Sequence, residues 1–217
     1  MMAKKCLFSA VFVASVALSG CQTAYYSAME QVGVHKRDIL VDRVEGARDA
    51  QDEAQQQFKD ALEQYRSVVS FEGDRLDTVY QALDAEYEQS LEVAQEVSDR
   101  IELVESVADA LFDEWAEELN LYTNPKLRAD SAAKLKQTKR RYNGLIASMK
   151  TAEKRMQPVL DTLQDNVLYL KHNLNARAIG ALKGELGNIQ SDVELLIRDM
   201  NRAIAQSDAF IADMERG

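Results

Sequence analysis

The sequence predicts an all-α protein, an elongated antiparallel bundle of about four long, coiled-coil-like helices. Three observations predict this fold: a composition rich in helix formers, apolar residues that recur at alternating steps of three and four, and few interruptions of that repeat. Only two prolines and nine glycines occur among the 217 residues. A chain with so few helix breakers is expected to form a small number of long helices.

Four apolar seams mark these helices, and such seams are typical of coiled coils. The first seam is the least regular, and each of the others persists over about four heptads. The first contains Ala54, Phe58, Ala61, Tyr65 and Val68; the second Leu83, Tyr87, Ser90, Ala94, Val97, Ile101, Val104, Ala108, Leu111 and Trp115; the third Leu135, Thr138, Tyr142, Leu145, Met149, Ala152, Met156, Val159 and Leu163; the fourth Leu182, Leu186, Ile189, Val193, Leu196, Met200, Ala203, Ser207, Phe210 and Met214.

Turn residues separate the seams. The Phe71–Asp74 segment offers a glycine followed by an aspartate cap, and Tyr122–Pro125 ends one helix and places proline in the first turn of the next. Pro158 lies inside the third seam, which continues through Val167 to Leu174, so we predict a kinked helix there, with a true break as the alternative. Helices of about 40 to 50 residues imply a bundle about 60 to 75 Å long.

Charge predicts which helices are neighbours. Glu72–Leu121 contains 16 acidic and 2 basic residues, whereas Lys126–Arg155 contains 10 basic and 2 acidic residues. A short turn joins these segments, so they are expected to pack side by side in antiparallel orientation. Within this pairing, we predict that Glu114 faces Lys134.

The basic run from 134 to 141 is explained mainly by this pairing. Lys136 and Arg140, however, point away from the seam. They support an alternative in which this face binds an anionic envelope polymer, lipopolysaccharide or peptidoglycan.

The N-terminus predicts a bacterial lipoprotein. Lys4 and Lys5 precede a short apolar run, and Leu18-Ser19-Gly20-Cys21 matches a lipobox. Cys21 would take a diacylglycerol through a thioether and an N-acyl chain such as palmitate, which gives lasting membrane attachment. The alternatives are an ordinary signal cut near Ala14 and an uncleaved anchor.

These features divide the chain into a signal peptide (1–20), a lipidated N-terminus with a short linker (21–28) and a single helical bundle domain (29–217). Gln22 is not the aspartate that retains lipoproteins of enteric-type bacteria in the inner membrane. By that resemblance, we expect the periplasmic face of the outer membrane. Tyr25 and Tyr26 suit either the lipid headgroup zone or ordinary packing.

The mature chain is acidic and has no spare thiol. Loss of Lys4 and Lys5 leaves 24 basic against 36 acidic residues, a net charge of −12, which argues against nucleic acid as a partner. Cys6 leaves with the signal peptide and Cys21 is consumed by lipid, so no disulfide and no Cys-based metal site are expected.

The segment Lys171–Gly187 contains three glycines but fits no nucleotide loop. A Walker loop needs Lys and then Ser or Thr after its last glycine, whereas Glu185 follows Gly184. No strand precedes the segment, so a dinucleotide fold is excluded as well. We therefore predict a tight turn into the last helix, followed by close packing of another backbone against Gly180, Gly184 and Gly187.

Other residues of the chain are assigned structural roles. Asn173 and Asn175 are suited to the turn and the helix cap. His35 is expected on the surface and His172 in the turn, so we predict no metal site, no cofactor and no catalytic residue. Trp115 lies on a seam and is predicted to belong to the core rather than to a ligand platform.

Three stretches carry a resemblance: YYSAMEQVGVHKRDILVDRVE (25–45), ALFDEW (110–115) and VLYLKHNLNARAIGALKGEL (167–186). They resemble a gammaproteobacterial family of lipoproteins with a domain of unknown function, DUF2959. Some relatives carry a "DNA repair ATPase" label, but this sequence lacks the nucleotide site that the label requires. The resemblance supplies no catalytic residues.

The leading functional hypothesis is a non-enzymatic outer-membrane lipoprotein that serves as a periplasmic helical scaffold, spacer or adaptor. The competing hypothesis is the envelope-polymer binding module, and the third is an enzyme that uses His172. The protein partner and the oligomeric state, including a homo-oligomer, are left open by the sequence.

Overall fold

The computed structural model describes Tyr25, Tyr26, Ala28, Met29 and residues 33–73 and 75–216. Its four long helices are α1 (Lys36–Val69), α2 (Leu76–Glu118), α3 (Pro125–His172) and α4 (Ala176–Arg216). Within these described residues there is no β-strand. The predicted all-α class and the number of long helices are confirmed.

The helices form a closed antiparallel ring in the order α1, α2, α3, α4. Each helix packs against the next one along the chain, and α4 returns to pack against α1. At one level the Tyr65 hydroxyl donates to the Leu182 carbonyl oxygen at 2.9 Å, and at another Arg48 lies 3.3 Å from Asp208. Residue numbers rise along α1 as they fall along α4, so these two helices are antiparallel.

The four predicted seams form the core. Most of their residues are buried, and Tyr87, Trp115, Thr138 and Leu186 are half-buried. Leu174 departs from the prediction because it is 46% exposed. Since α3 ends at His172, Leu174 lies in the following turn and no longer follows the helical repeat.

The turn between α2 and α3 confirms its predicted chemistry. The Asn124 side chain accepts hydrogen bonds from the backbone N–H groups of Lys126 (2.9 Å) and Leu127 (3.3 Å), and Pro125 occupies the first helical position. The N-cap of α2 is Arg75, which makes no side-chain cap. The predicted cap residue, Asp74, lies outside the described residues.

Helix α3 continues through Pro158, so the alternative of a true break is wrong. Pro158 cannot donate a backbone hydrogen bond, but its carbonyl accepts one from the Thr162 hydroxyl at 2.9 Å. The 48 residues of α3 extend for about 72 Å at 1.5 Å per residue. This length agrees with the expectation from sequence.

Candidate interaction surfaces

The bundle has two different ends, which we name by their contents. The N-terminal end consists of the start of α1, the α2–α3 turn and the end of α4. The glycine end consists of the α1–α2 turn and the α3–α4 turn. The predicted lipid attachment residue, Cys21, lies outside the described residues.

The chain already packs against the bundle at Tyr26, five residues after Cys21. Tyr26 is 6% exposed, and its hydroxyl lies 2.9 Å from the Ser106 hydroxyl on α2. The sequence left two roles open for Tyr25 and Tyr26, the lipid headgroup zone and ordinary packing. Tyr26 therefore has the packing role. Tyr25, which is 43% exposed, meets the Tyr26 ring edge-on with a centroid separation of 5.5 Å.

Gly33 reverses the chain between this segment and α1. Its φ of 86° lies in the left-handed region, which glycine adopts without a steric cost. The Val34 N–H donates to the Met29 carbonyl at 3.0 Å across the reversal. The N-terminal segment is thereby folded back along the outside of the bundle.

The acidic helix α2 and the basic part of α3 pack together, as their charges predicted. Lys150 lies 2.5 Å from Glu105, and the hydrogen bond between them is the main cause that raises the pKa of Lys150. Lys139 lies 5.3 Å from the centre of the Phe112 ring, a cation–π contact. Within the basic run from 134 to 141, Lys139 makes this contact with α2, whereas Lys150 lies nine residues beyond the run.

The predicted pairing of Glu114 with Lys134 is wrong, because Glu114 pairs with Lys36 of α1 at 2.8 Å. The physical reason is the side of α2 on which Glu114 lies. Arg100, two heptads earlier, is on the same side and approaches Gly46 of α1. Glu114 therefore makes its ion pair with α1, although Glu114 and Lys134 both border the same cavity.

A cup of about 370 Å³ opens at the N-terminal end, between all four helices. Its apolar lining includes Leu111, Trp115 and Met214, and its charged lining includes Arg37 and Lys134. A volume of this size with mostly apolar walls is within the range of small-molecule sites.

Trp115 belongs to both the core and this cup. The ring packs against the buried cluster, and its indole N–H donates to the Ser131 hydroxyl at 2.8 Å. It also lines the cup, so the prediction of a core residue was incomplete. A tryptophan at the open end of a seam can serve as a core residue and as a wall.

Lys136 and Arg140 are exposed on α3, four residues apart and hence on one face. In the part of the chain that the structure describes, neither makes an ion pair. The neighbouring Arg141 differs, because it lies 2.8 Å from Asp213 of α4. The two cations singled out from the sequence therefore remain available to an external anion.

The glycine end contains the predicted turn into α4. The Asn175 side chain accepts hydrogen bonds from the backbone N–H groups of Arg177 (3.0 Å) and Ala178 (3.3 Å), and Asn173 caps the end of α3. A broad, open depression of about 920 Å³ lies beside this turn and is bordered by Phe71 and Lys183.

The predicted close packing at the three glycines is wrong. Gly180, Gly184 and Gly187 are exposed, and a Cβ added at any of them would meet nothing within 4 Å among the described residues beyond its chain neighbours and the adjacent backbone of its own helix. Each glycine is two residues before a seam residue, about 200° around the helix from it. The stripe therefore faces solvent instead of another backbone.

The two histidines lie at opposite ends of the bundle. His35 is the N-cap of α1, and His172 is the last residue of α3. Among the described residues, no group of three metal-ligating side chains comes together. None of the helices described above is both long enough and apolar enough to cross a membrane.

Comparison with known proteins gives one match. The family model described as "Protein of unknown function (DUF2959)" matches residues 25–214. No curated protein and no solved structure matched the chain. The match begins at Tyr25, where the described part of the chain starts, and includes almost all of the bundle. The chain therefore belongs to the DUF2959 family, whose function is unknown.

Proposed function

We propose that the protein is an outer-membrane lipoprotein that acts as a non-enzymatic helical scaffold, spacer or adaptor in the periplasm. The observation that carries the proposal is the lipobox ending at Cys21, five residues before Tyr26 packs against the bundle. A diacyl anchor at Cys21 would hold the bundle at the membrane surface by its N-terminal end. Gln22 favours the outer membrane over the inner one.

The shape of the bundle supports the role of a spacer. Continuous helices of 34 to 48 residues keep the two ends about 50 to 70 Å apart. The glycine end would then stand away from the anchor, with the exposed side chains of Leu168, Tyr169 and Leu174 near it. A protein that holds its ends at a fixed separation is suited to bridging between a membrane and a second structure.

Replacing Cys21 with alanine tests the anchor. Without the thiol no thioether can form, so the variant should move from the outer-membrane fraction to the soluble periplasmic fraction. Fractionation followed by immunoblotting measures this. Cys6→Ala is the matched control, since Cys6 lies within the signal peptide and its replacement should leave the mature protein in the membrane. Retention of the Cys21→Ala variant in the outer membrane would refute the proposal.

The second candidate is a module that binds lipopolysaccharide or peptidoglycan. It is favoured by the exposure of Lys136 and Arg140 and by their lack of ion pairs within the described residues. Under this hypothesis, the chain cosediments with either polymer in a salt-sensitive manner, and Lys136→Ala/Arg140→Ala abolishes this cosedimentation. Lys154→Ala/Lys171→Ala is the matched control, because it removes the same charge from exposed positions of the same helix. Equal binding by both double variants would reject this site.

A further inference from the structure

The α2–α3 turn exposes three large apolar side chains at the tip of the N-terminal end. Leu121 is 78% exposed, Leu127 is 53% exposed and Tyr122 is 42% exposed. They are near neighbours in the chain, and none belongs to the buried core cluster. Apolar side chains grouped on a surface in this way mark an interaction site rather than a packing requirement.

Two cations accompany these side chains. Lys126 and Arg128 lie in or next to the first turn of α3, which contains no acidic residue. Basic groups at a helix N-terminus oppose the helix dipole, so their placement does not serve the stability of α3. Arg128 also donates to the side-chain oxygen of Asn120, a neutral acceptor, at 3.3 Å. Both cations are suited to an anionic surface facing the tip.

The chain length before Tyr26 brings a membrane close to this tip. Tyr26 is the fifth residue after Cys21, so an extended chain between them reaches at most about 18 Å. Tyr26 is docked at Ser106, which precedes Leu119 by thirteen residues, or about 20 Å along the helix. A lipid on Cys21 therefore cannot lie much beyond the plane of the turn, and the tip must stay near the membrane surface.

We propose that the α2–α3 turn is a second membrane contact. Leu121, Tyr122 and Leu127 enter the interfacial zone of the leaflet that holds Cys21, and Lys126 and Arg128 meet its anionic headgroups. The orientation rests on the proposed lipid anchor. A phospholipid surface is preferred to the tip of a second copy because the short chain from Cys21 to Tyr26 would hold the tip close to the membrane.

Fluorescence quenching by lipids tests this contact without relying on natural lipidation. The chain beginning at Cys21 has one cysteine and one tryptophan, so Cys21 can be coupled to a maleimide lipid and Trp115 replaced by phenylalanine. A single tryptophan is then introduced by Leu121→Trp. In vesicles of phosphatidylethanolamine and phosphatidylglycerol with brominated acyl chains, its fluorescence should be quenched.

Leu91→Trp in the same background is the matched control. Leu91 is 44% exposed, yet it lies 28 residues before Leu119, about 42 Å away along α2. Its tryptophan should not be quenched. Replacing Lys126 and Arg128 with glutamine in the Leu121→Trp chain should lower the ratio of inserted to free tips about fivefold for each charge removed. Vesicles without phosphatidylglycerol should show no such charge effect.

Two outcomes would overturn the proposal. If the tryptophan at residue 121 is not quenched, the tip does not enter lipid. This holds whether or not sedimentation detects a tip-to-tip dimer. Equal quenching at residues 121 and 91 would show that the bundle lies flat on the membrane. Circular dichroism shows whether Trp115→Phe unfolds the chain. If it does, Trp115 is retained, and the quenching of each introduced tryptophan is obtained by subtracting the quenching measured for the chain without it. Because the tether is chemical, the result is independent of whether the cell lipidates Cys21.

Discussion

Replacing Gln51 with methionine should raise the free energy of unfolding by about 1–3 kcal/mol. Gln51 is fully buried in α1, and neither its amide nitrogen nor its amide oxygen has a hydrogen-bond partner within the described chain. Burying an amide in this way loses its hydration without a compensating bond. Methionine has a similar length and no amide, so it should fill the space without that cost. Urea unfolding followed by circular dichroism measures the change.

Gln55→Met is the matched control, one helical turn away on the same helix. Gln55 is nearly as buried, but its amide nitrogen donates to Asn201 at 3.0 Å and its amide oxygen accepts from Lys59 at 2.7 Å. Its replacement should lower the free energy of unfolding by about 1 kcal/mol. If both variants were destabilised alike, Gln51 would also have a partner in solution, such as an internal water molecule.

Above pH 10, the bundle should lose stability by up to about 2.7 kcal/mol per pH unit through two buried tyrosines. Burial is the main cause that raises the pKa of Tyr65 and of Tyr142, with smaller contributions from Glu185 for the first and Glu105 for the second. The unfolded chain releases these protons near pH 10, whereas the folded chain retains them to higher pH. Folding therefore opposes ionisation of the two tyrosines. Their contribution to the free energy of unfolding is complete below pH 10 and is lost as the pH rises above 10.

Urea unfolding at a series of alkaline pH values measures this slope. Tyr65→Phe should cost about 1 kcal/mol at neutral pH, because the hydrogen bond to Leu182 is lost. In the Tyr65→Phe/Tyr142→Phe double variant, the alkaline slope should fall by most of its value. Tyr122→Phe, at an exposed position, should leave the slope unchanged. An undiminished slope in the double variant would contradict this assignment.

The core could be predicted from sequence because burial in a long helix follows a simple period. Seam residues such as Phe58, Val97, Met149 and Leu196 are all buried. The same period could have revealed Gln51, three residues before Ala54, since the steps from Ala47 to Phe58 are four, three and four. Because glutamine is polar, a seam identified from hydrophobic residues alone did not include Gln51.

The interaction surfaces were harder to predict because they depend on which side of a helix meets which neighbour. The α2–α3 pairing was predictable from net charge, but the individual partner of Glu114 was not. Spacing alone also suggested that the glycine stripe would be covered, although its position 200° from the seam leaves it exposed. The α2–α3 turn contains two exposed leucines, Leu121 and Leu127, which a sequence pattern does not distinguish from buried leucines.

The sequence by itself determined the helical class, the four helices, their turns and the lipobox, because each of these depends on residues close together in the chain. Tertiary structure alone decided that Glu114 pairs with Lys36 and that Tyr26 docks on Ser106. These contacts join residues that are far apart in sequence, and they depend on the rotation and register of whole helices. Local propensity does not encode either quantity, since both are set when the four seams pack together.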